Sequence, residues 1–338
     1  MKKACIVVSK SYQNNKLFDL EDAIINRDNC MYPFHLLKQK FKDHGYSLAT
    51  QDIHCIEDSE IVLYNEIPSM LPSSKDIQKS YLLLFESELI RPDNWALDKH
   101  QYFKKIFTWQ DDFIDNKKYF KMNFAQELPK SINKDLTHKE KLCTLIAGNK
   151  KVKHPLELYS KRLEAIRWFE QFHPDDFDFY GIGWDEYSHE NHYIRFLLRK
   201  SKIAKFFKPY FASYRGKVRS KKEVLTKYRF AICYENARDI SGYITEKIFD
   251  CFFAGCVPIY WGANNIEDHI PQECFIDKRK FETYHKLYNF INNMSDDHYL
   301  EYLENIEAFL NSDKIYPFCS EFFANILVEI MLDDAKHK

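Results

Sequence analysis

Residues 228–263 read YRFAICYENARDISGYITEKIFDCFFAGCVPIYWGA, and this stretch decides the fold. Residues 229–234 and 257–262 are short apolar runs, which predict two buried strands. Between these runs, Gly242 permits a turn with positive φ, and Thr245 is placed to cap a short amphipathic helix. The stretch therefore predicts a strand, a polar loop, a helix and a second strand.

The first turn of this helix carries Glu246 and Lys247. A helix that follows a strand places its N-terminus at the carboxyl edge of a parallel sheet, where open α/β sheets bind ligands. Free N–H groups and the Lys247 charge suit a phosphate, and the Glu246 carboxylate can accept hydrogen bonds from hydroxyl groups. A nucleotide sugar contains both groups, a phosphate and sugar hydroxyls, and is therefore a candidate ligand. The alternative is that Glu246 only complements the helix dipole.

The stretch resembles the donor-binding motif of the family 10 glycosyltransferases, the α-1,3/1,4-fucosyltransferases, at nearly the same spacing. The matching residues are Tyr228, Phe230, Glu235, Asn236, Gly242, Tyr243, Thr245, Glu246, Lys247 and residues 258–262. The loop of residues 237–241 is slightly longer than in bacterial members. The resemblance implies two Rossmann-like domains facing a cleft, the GT-B architecture.

Composition limits the class of protein. At 338 residues the chain is long enough for about two domains. A hydrophobic share of 45% with only 8 glycines excludes a disordered chain. With a net charge of −1, the overall electrostatics of the chain predict no partner, whereas the local distribution of charge differs. The 9 cysteines form no CxxC pair, so we expect reduced thiols and no zinc site.

Short apolar runs alternate with helical stretches, which favours an α/β fold. Strands are predicted at residues 3–8, 60–64, 80–85, 104–109, 142–149, 177–183 and 274–277, and helices at 33–44, 156–172, 283–293, 296–311 and 317–333. We predict domains at residues 1–135 and 140–338, with a linker around 128–141. The resemblance implies that the first domain binds the acceptor and the second binds the GDP-sugar. The last helix is a candidate for packing back on the first domain.

The apolar run at residues 4–8 is too short for a signal peptide or a membrane anchor. No other run reaches the roughly 18 apolar residues of a membrane span. Animal members of the family carry an N-terminal Golgi anchor, so the resemblance is to the bacterial, cytoplasmic type or to a viral relative. We expect a cytoplasmic protein, with peripheral contact at the inner face of the membrane as a further hypothesis.

Arg162 lies near the start of a predicted helix that follows the strand at residues 142–149. An arginine there can hold a pyrophosphate through two parallel hydrogen bonds. The family has an arginine in this helix, and Arg162 is the matching residue, with Lys161 as the competing candidate. The alternative is an ordinary exposed helix arginine.

Glu86 follows the strand predicted at residues 80–85. A carboxylate at the carboxyl end of a strand, facing a cleft, is well placed as a general base. The family pattern has a glutamate there followed by Pro and Asn, which Pro92 and Asn94 match at a longer spacing. Glu88 competes for the role, and Glu86 is favoured. The alternative is that both glutamates are loop residues without a catalytic role.

Residues 191–222 are rich in Lys and Arg, contain no acidic residue, and have aromatic residues between the charges. Three interpretations compete: binding of single-stranded nucleic acid, contact with an anionic membrane, and a solvated face near the donor pyrophosphate. The tail at residues 213–217 resembles a family stretch upstream of the donor motif. We expect this tail near the donor and the rest at the periphery, and no nucleic-acid partner.

The resemblance implies transfer of L-fucose from GDP-β-L-fucose to a sugar hydroxyl with inversion. The acceptor would be an N-acetylglucosamine or glucose of an oligosaccharide or lipid-linked glycan, joined through an α-1,3 or α-1,4 bond. Two rivals stay open. One is an inverting transferase of the same scaffold with another nucleotide sugar, and the other is a nucleic-acid-binding protein acting through residues 191–222.

The resemblance also implies roles for single residues. Glu86 would be the base, and Glu246 would stabilise positive charge on the fucose ring. Because Lys247 and Arg162 can neutralise the diphosphate, we expect no cofactor and no obligatory metal, although Asp111 and Asp112 form an acidic pair. The residues implied to bind GDP-fucose are Arg162, Asn236, Tyr243, Glu246 and Lys247.

Overall fold

The first of two parallel sheets lies in the N-terminal part of the chain, in a computed structural model that describes residues 1–185 and 209–336. Its strand order is β2-β1-β3-β4-β5-β6, a doubly wound arrangement. All residues of β4 are buried, as expected for a parallel strand covered on both faces. The strands are β1 (Lys2–Val7), β2 (Tyr46–Thr50), β3 (Ile61–Asn65), β4 (Ser80–Leu84), β5 (Lys105–Thr108) and β6 (Tyr119–Lys121).

The second sheet has strand order β11-β10-β9-β7-β8, and its strand pairs are parallel. Its strands are β7 (Lys141–Ile146), β8 (Phe177–Tyr180), β9 (Tyr228–Tyr234), β10 (Val257–Trp261) and β11 (Ile276–Asp277). The predicted α/β architecture of two domains is therefore confirmed. Strands β2 and β6 are not predicted by the sequence. No residue of β6 is fully buried, so it offers no apolar run to detect.

Helices cover the sheets and connect their strands. They are α1 (Tyr32–Asp43), α2 (Leu97–His100), α3 (Tyr159–Phe172), α4 (Lys221–Leu225), α5 (Glu246–Phe253), α6 (Ile266–His269), α7 (Tyr284–Asn292), α8 (Asp296–Leu310) and α9 (Ser320–Lys336). The central stretch of the sequence forms β9, a loop, α5 and β10, as predicted. Gly242 has the expected positive φ of 78° in that loop.

The last helix, α9, packs on the first domain. Phe323 and Leu327 share a buried core with Phe34 and Leu37 of α1. On its way to α9 the chain returns past the segment that leaves the first domain. Residues 126 and 319 form a parallel bridge there, in which the Gln126 N–H donates to the carbonyl of residue 318 at 2.7 Å. Within residues 1–185 and 209–336 the chain thus crosses between the domains twice, and the two crossing segments are joined by a hydrogen bond.

The domains also meet at a close contact between the loop after β5 and the loop before α5. The ring centroids of Trp109 and Tyr243 lie 4.7 Å apart. Asp111 of the first domain accepts a hydrogen bond from Asn265 at 2.8 Å and lies 2.7 Å from His269 Nε2. These contacts fix one edge of the cleft between the domains.

None of the helices within residues 1–185 and 209–336 combines the length and apolar character that a membrane crossing requires. All cysteines of the sequence lie in these ranges and are unpaired. Except for Cys30 and Cys55 they are buried.

We predict that Gly242→Ala destabilises the domain contact. Its φ of 78° is strained for other residues, and a Cβ there would lie 2.3 Å from the Trp109 carbonyl oxygen. Strain costs about 1–3 kcal/mol, and overpacking adds about 1–3 kcal/mol. Gly45→Ala is the matched control, because its φ is 80° but nothing lies within 4 Å of a new Cβ. Thermal unfolding should show a clearly larger decrease in melting temperature for Gly242→Ala than for Gly45→Ala. Equal decreases would contradict a close contact between Gly242 and the Trp109 carbonyl.

Candidate active site

A cavity of about 720 Å³ opens at the carboxyl ends of β7, β8 and β9, beside the N-terminus of α5. Backbone forms much of its wall at the loops after β7 and β8. There the two loops approach so closely that a Cβ on Gly181 would fall 1.8 Å from the Ala147 carbonyl oxygen. The cavity lining brings together all the residues singled out in the sequence for donor binding and catalysis: Glu86, Arg162, Asn236, Tyr243, Glu246 and Lys247.

The N-terminus of α5 is organised by Glu235, whose side chain has no exposed surface. The Glu235 carboxylate accepts hydrogen bonds from the Thr245 N–H at 2.9 Å and from the Thr245 hydroxyl at 2.7 Å. Thr245 occupies the predicted N-cap position, but its hydroxyl binds Glu235 instead of capping α5. The helix therefore begins beside the cavity without a side-chain cap, which favours an anion there.

Lys247 completes this arrangement as a fixed cation. Its Nζ lies 3.1 Å from Glu235 Oε2 and 2.8 Å from Thr245 Oγ1. Burial opposes the charged form, but the carboxylates of Glu235 and Glu246 outweigh it and hold the pKa of Lys247 well above its usual range. Lys247 is therefore charged at neutral pH and borders the cavity.

Arg162 lies in the first turn of α3 and is only 4% exposed. Its guanidinium donates to the carbonyl of the last residue of β9 at 2.6 Å and to Asn236 Oδ1 at 3.1 Å. Asn236 Nδ2 donates in turn to the Tyr243 hydroxyl at 3.3 Å. One hydrogen-bonded chain thus joins three predicted donor residues along one wall. The competitor Lys161 pairs with Glu164 at 2.6 Å and is not part of the cavity lining.

Glu246 lies between two lysines. Its Oε1 is 3.4 Å from Lys221 Nζ and 3.9 Å from Lys247 Nζ. Burial opposes ionisation of Glu246, but the two lysines outweigh it and hold its pKa well below the usual range. Lys221 also pairs with Asp250 at 2.6 Å. Burial raises the pKa of Asp250 to about 6, although Lys221 opposes the rise.

Glu86 follows β4 and borders both the first cavity and a second one of about 620 Å³. Burial raises the pKa of Glu86, and the charges of Lys150 and Lys247 oppose the rise. Glu88 is exposed and lines neither cavity. The residues common to the two cavities are Arg27, Glu86, Phe124, Lys221, Glu246 and Asp250.

The second cavity lies mainly against the first domain. Tyr12, Phe34, Phe85 and Phe323 are among its aromatic lining residues. Its polar lining on the same domain includes Glu66. The cavity therefore combines an apolar wall with many polar and charged side chains, a lining that can contact both the apolar faces and the polar groups of a ligand.

Sequence analysis missed several residues of the site. Glu235 is quoted within the motif but is given no role there. Asp250 follows Glu246 by four positions and so shares its helix face, a spacing that could have revealed it. Lys221 and Glu66 carry no signal in the sequence, because their contacts join distant segments.

The basic segment predicted at residues 191–222 is described only from residue 209 onward. Its tail packs beside β8, where Arg215 pairs with Asp178 at 2.6 Å and the Tyr214 hydroxyl donates to the Gly181 carbonyl at 2.7 Å. Farther along, Val218 reaches the cavity lining. Residues 191–208 lie outside the described residues.

Asp111 belongs to the domain contact. Burial opposes its ionisation, but hydrogen bonds from His269, Lys121 and Asn265 outweigh this and hold its pKa well below the usual range. Asp112 borders neither cavity. In the described part of the chain, no group of three or more His, Cys, Asp or Glu residues is arranged to hold a metal ion.

Comparison with known proteins gives matches in sequence and in fold. Residues 182–318 match the sequence model described as glycosyltransferase family 10 (fucosyltransferase), C-terminal part. The chain is 34% identical over 74 residues to the alpha-(1,3)-fucosyltransferase FucT of Helicobacter pylori, and this alignment covers 22% of this chain and 15% of the relative. It is 36% identical over 73 residues to the alpha-(1,4)-fucosyltransferase of Arabidopsis thaliana, covering 22% and 18%.

The similarity in fold extends further along the chain. A solved alpha1,3-fucosyltransferase with GDP aligns over 98% of this chain and 90% of that structure, with a TM-score of 0.58 and 14% identity. The sequence matches span less than a fifth of the length of the two curated relatives. These findings confirm the resemblance seen in residues 228–263: residues 182–318 match the C-terminal part of glycosyltransferase family 10, the fucosyltransferase family, and the chain shares the fold of a solved fucosyltransferase.

Proposed function

We propose that this chain transfers L-fucose from GDP-β-L-fucose to a hydroxyl group of a sugar acceptor, with inversion at the anomeric carbon. One observation carries the proposal: Glu86 and Glu246 both border the junction of the two cavities. A base next to the acceptor and an ionised carboxylate next to the donor are the groups that a single displacement would use.

The first cavity is the proposed donor site. Lys247 and Arg162 supply positive charge there, and the uncapped start of α5 supplies N–H groups for a diphosphate. The match of residues 182–318 to the fucosyltransferase family model and the fold shared with a solved alpha1,3-fucosyltransferase with GDP support this donor. Asn236 and Tyr243 would hold the ribose or the fucose.

The second cavity is the proposed acceptor site, because it lies against the first domain and opens to Glu86. Its aromatic lining offers flat apolar faces of the kind that binding sites present to ligands. We propose an N-acetylglucosamine or glucose of an oligosaccharide or lipid-linked glycan as the acceptor, with an α-1,3 or α-1,4 product.

In the proposed mechanism, Glu86 removes the proton from the acceptor hydroxyl as its oxygen attacks the anomeric carbon. The bond from that carbon to the β-phosphate oxygen breaks, and GDP leaves. Lys247, Arg162 and the start of α5 stabilise the charge that develops on the diphosphate. Glu246, held ionised by Lys221, stabilises the positive charge on the fucose ring.

The test follows GDP release from GDP-fucose by the purified protein, alone and with a panel of N-acetyllactosamine-type oligosaccharides. Release that an acceptor stimulates, and that GDP-mannose or UDP-glucose does not support, is the expected result. Because the proposal needs no metal, activity should persist in EDTA. The proposal would be overturned if the protein released no GDP under either condition and if GDP did not raise its melting temperature.

We further propose that the part of the basic segment 191–222 that precedes residue 213 brings the protein to an anionic membrane on the cytoplasmic side, where lipid-linked acceptors would lie. The support is the basic and aromatic composition of this segment. The protein should float with anionic liposomes at low salt and not with neutral ones. Absence of flotation with either would remove this hypothesis.

We predict that Glu86→Gln lowers kcat by about 10²–10⁴-fold, the usual contribution of a general base. GDP affinity should be nearly unchanged, because Glu86 does not contact the diphosphate in this mechanism. Since the pKa of Glu86 is raised and the base acts when deprotonated, wild-type kcat should fall on the acid side at a higher pH than for an ordinary carboxyl group. The control Glu88→Gln should behave like wild type, and a loss confined to Glu88→Gln would reverse the assignment.

We predict that Lys247→Ala weakens GDP binding by about 10–100-fold, which corresponds to the loss of a hydrogen bond to a charged group. Guanosine, which has no phosphate, should bind the variant and wild type equally. This comparison by calorimetry separates loss of the diphosphate contact from general damage. The matched control is Lys161→Ala, and equal GDP affinity in Lys247→Ala and wild type would exclude the role.

A further inference from the structure

Glu66 has an unusual backbone conformation at the edge of the site. It directly follows β3 and has a φ of 73°, in the left-handed region that residues other than glycine rarely adopt. Its N–H donates to the Leu83 carbonyl at 3.0 Å, which anchors it to the neighbouring strand β4. Strained residues of this kind persist only where surrounding contacts hold them, and they cluster at functional sites.

The Glu66 carboxylate is hydrogen-bonded to the turn that carries Glu86. Its Oε1 accepts hydrogen bonds from the Phe85 N–H at 3.2 Å and the Glu86 N–H at 2.9 Å. Its Oε2 accepts a hydrogen bond from Asn94, a fully buried side chain. The side chain of one residue thus fixes two successive peptide groups at the point where the proposed base leaves β4.

Other side chains hold the carbonyl groups of the same turn. Trp109 Nε1 donates to the Phe85 carbonyl at 2.7 Å. Trp95 Nε1 donates to the Glu86 carbonyl at 3.0 Å, and Asn94 Nδ2 reaches the same oxygen at 3.3 Å. The peptide groups on both sides of the Glu86 Cα are therefore held by side chains, which leaves side-chain rotation as the main freedom of this residue.

We propose that Glu66 is a positioning residue for Glu86, holding the backbone of the Phe85–Glu86 turn through its carboxylate so that the base faces the acceptor. The role deepens the proposed fucosyl transfer and rests on it for its chemical meaning. Glu66 acts through Glu86, and it exchanges no proton with substrate.

The strength of the hydrogen bonds between Glu66 and the turn depends on pH, because it depends on the charge of Glu66. Burial raises the pKa of Glu66 to about 7, while its hydrogen bonds to the turn oppose the rise. Hydrogen bonds to an ionised acceptor are stronger than those to a neutral one. The hydrogen bonds from the turn to Glu66 therefore strengthen as pH rises through neutrality. The charged groups that face Glu66 or line the same cavity are Glu86, Arg91, Arg27, Asp28, Glu127, Lys221, Glu246 and Asp250.

The first experiment needs no turnover. Backbone amide NMR of the full chain should show the Phe85 and Glu86 amides titrating together with a midpoint of about 7. Glu86→Gln, which removes the titration of Glu86 itself, should retain this titration, and adding Glu66→Gln to that variant should abolish it. Amides that do not titrate in Glu86→Gln, or that still titrate in the double variant, would overturn the proposal even if the protein does not transfer fucose.

The second experiment compares turnover. Glu66→Ala should lower kcat for transfer about 10²-fold, the usual effect of a misplaced catalytic group, with KM for GDP-fucose unchanged. Glu66→Gln keeps one acceptor oxygen for the turn and should lose about tenfold or less, a smaller effect than loss of a general base. Equal losses in the two variants would instead make Glu66 itself a base. Glu88→Gln is the control, and unchanged kcat in Glu66→Ala would exclude the role.

Discussion

The ion pair between the fully buried Glu235 carboxylate and the partly exposed Lys247 is the interaction on which the site depends. Glu235 has no exposed surface, so its charge is tolerable only because Thr245 and Lys247 satisfy it. Such a pair adds little stability compared with apolar packing, but it holds a defined geometry. It ties the end of β9 to the start of α5 and leaves that helix start uncapped. Gly262 is required beside it, because a Cβ there would lie 2.5 Å from Glu235 Cγ.

Local patterns were sufficient to predict most of the fold. The apolar runs of β9 and β10 are buried strands whatever surrounds them, and Gly242 has the conformation that its residue type favours. Strand β6 could not be found, because a three-residue edge strand with partly exposed side chains is defined by its neighbour and not by its own residues. Thr245 shows the same limit on a smaller scale: its position was predictable, whereas its hydrogen-bond partner lies ten residues away.

The candidate site was predictable where chemistry and chain position coincide. Glu246 and Lys247 open a helix after a strand, and Arg162 follows the neighbouring strand, so topology alone brings them to one edge of the sheet. The supporting residues were not predictable, because they act across the sequence. Lys221 reaches Glu246 from a different helix, and Glu66 reaches the turn of Glu86 from a different strand. The charges of the cleft largely cancel, which is why a net charge of −1 gave no indication of them.

The paired crossings at residues 126 and 319 determine which relative movements of the domains are easy. A single linker leaves two domains free to twist and bend, but two parallel connections that hydrogen-bond to each other resist twisting. The returning segment is also anchored, because α9 is packed on α1. Bending about the bridge is therefore the relative movement of the domains that these two connections oppose least. A movement of that kind would change the separation of Glu86 and Glu246 while keeping the two carboxylates facing each other across the cleft.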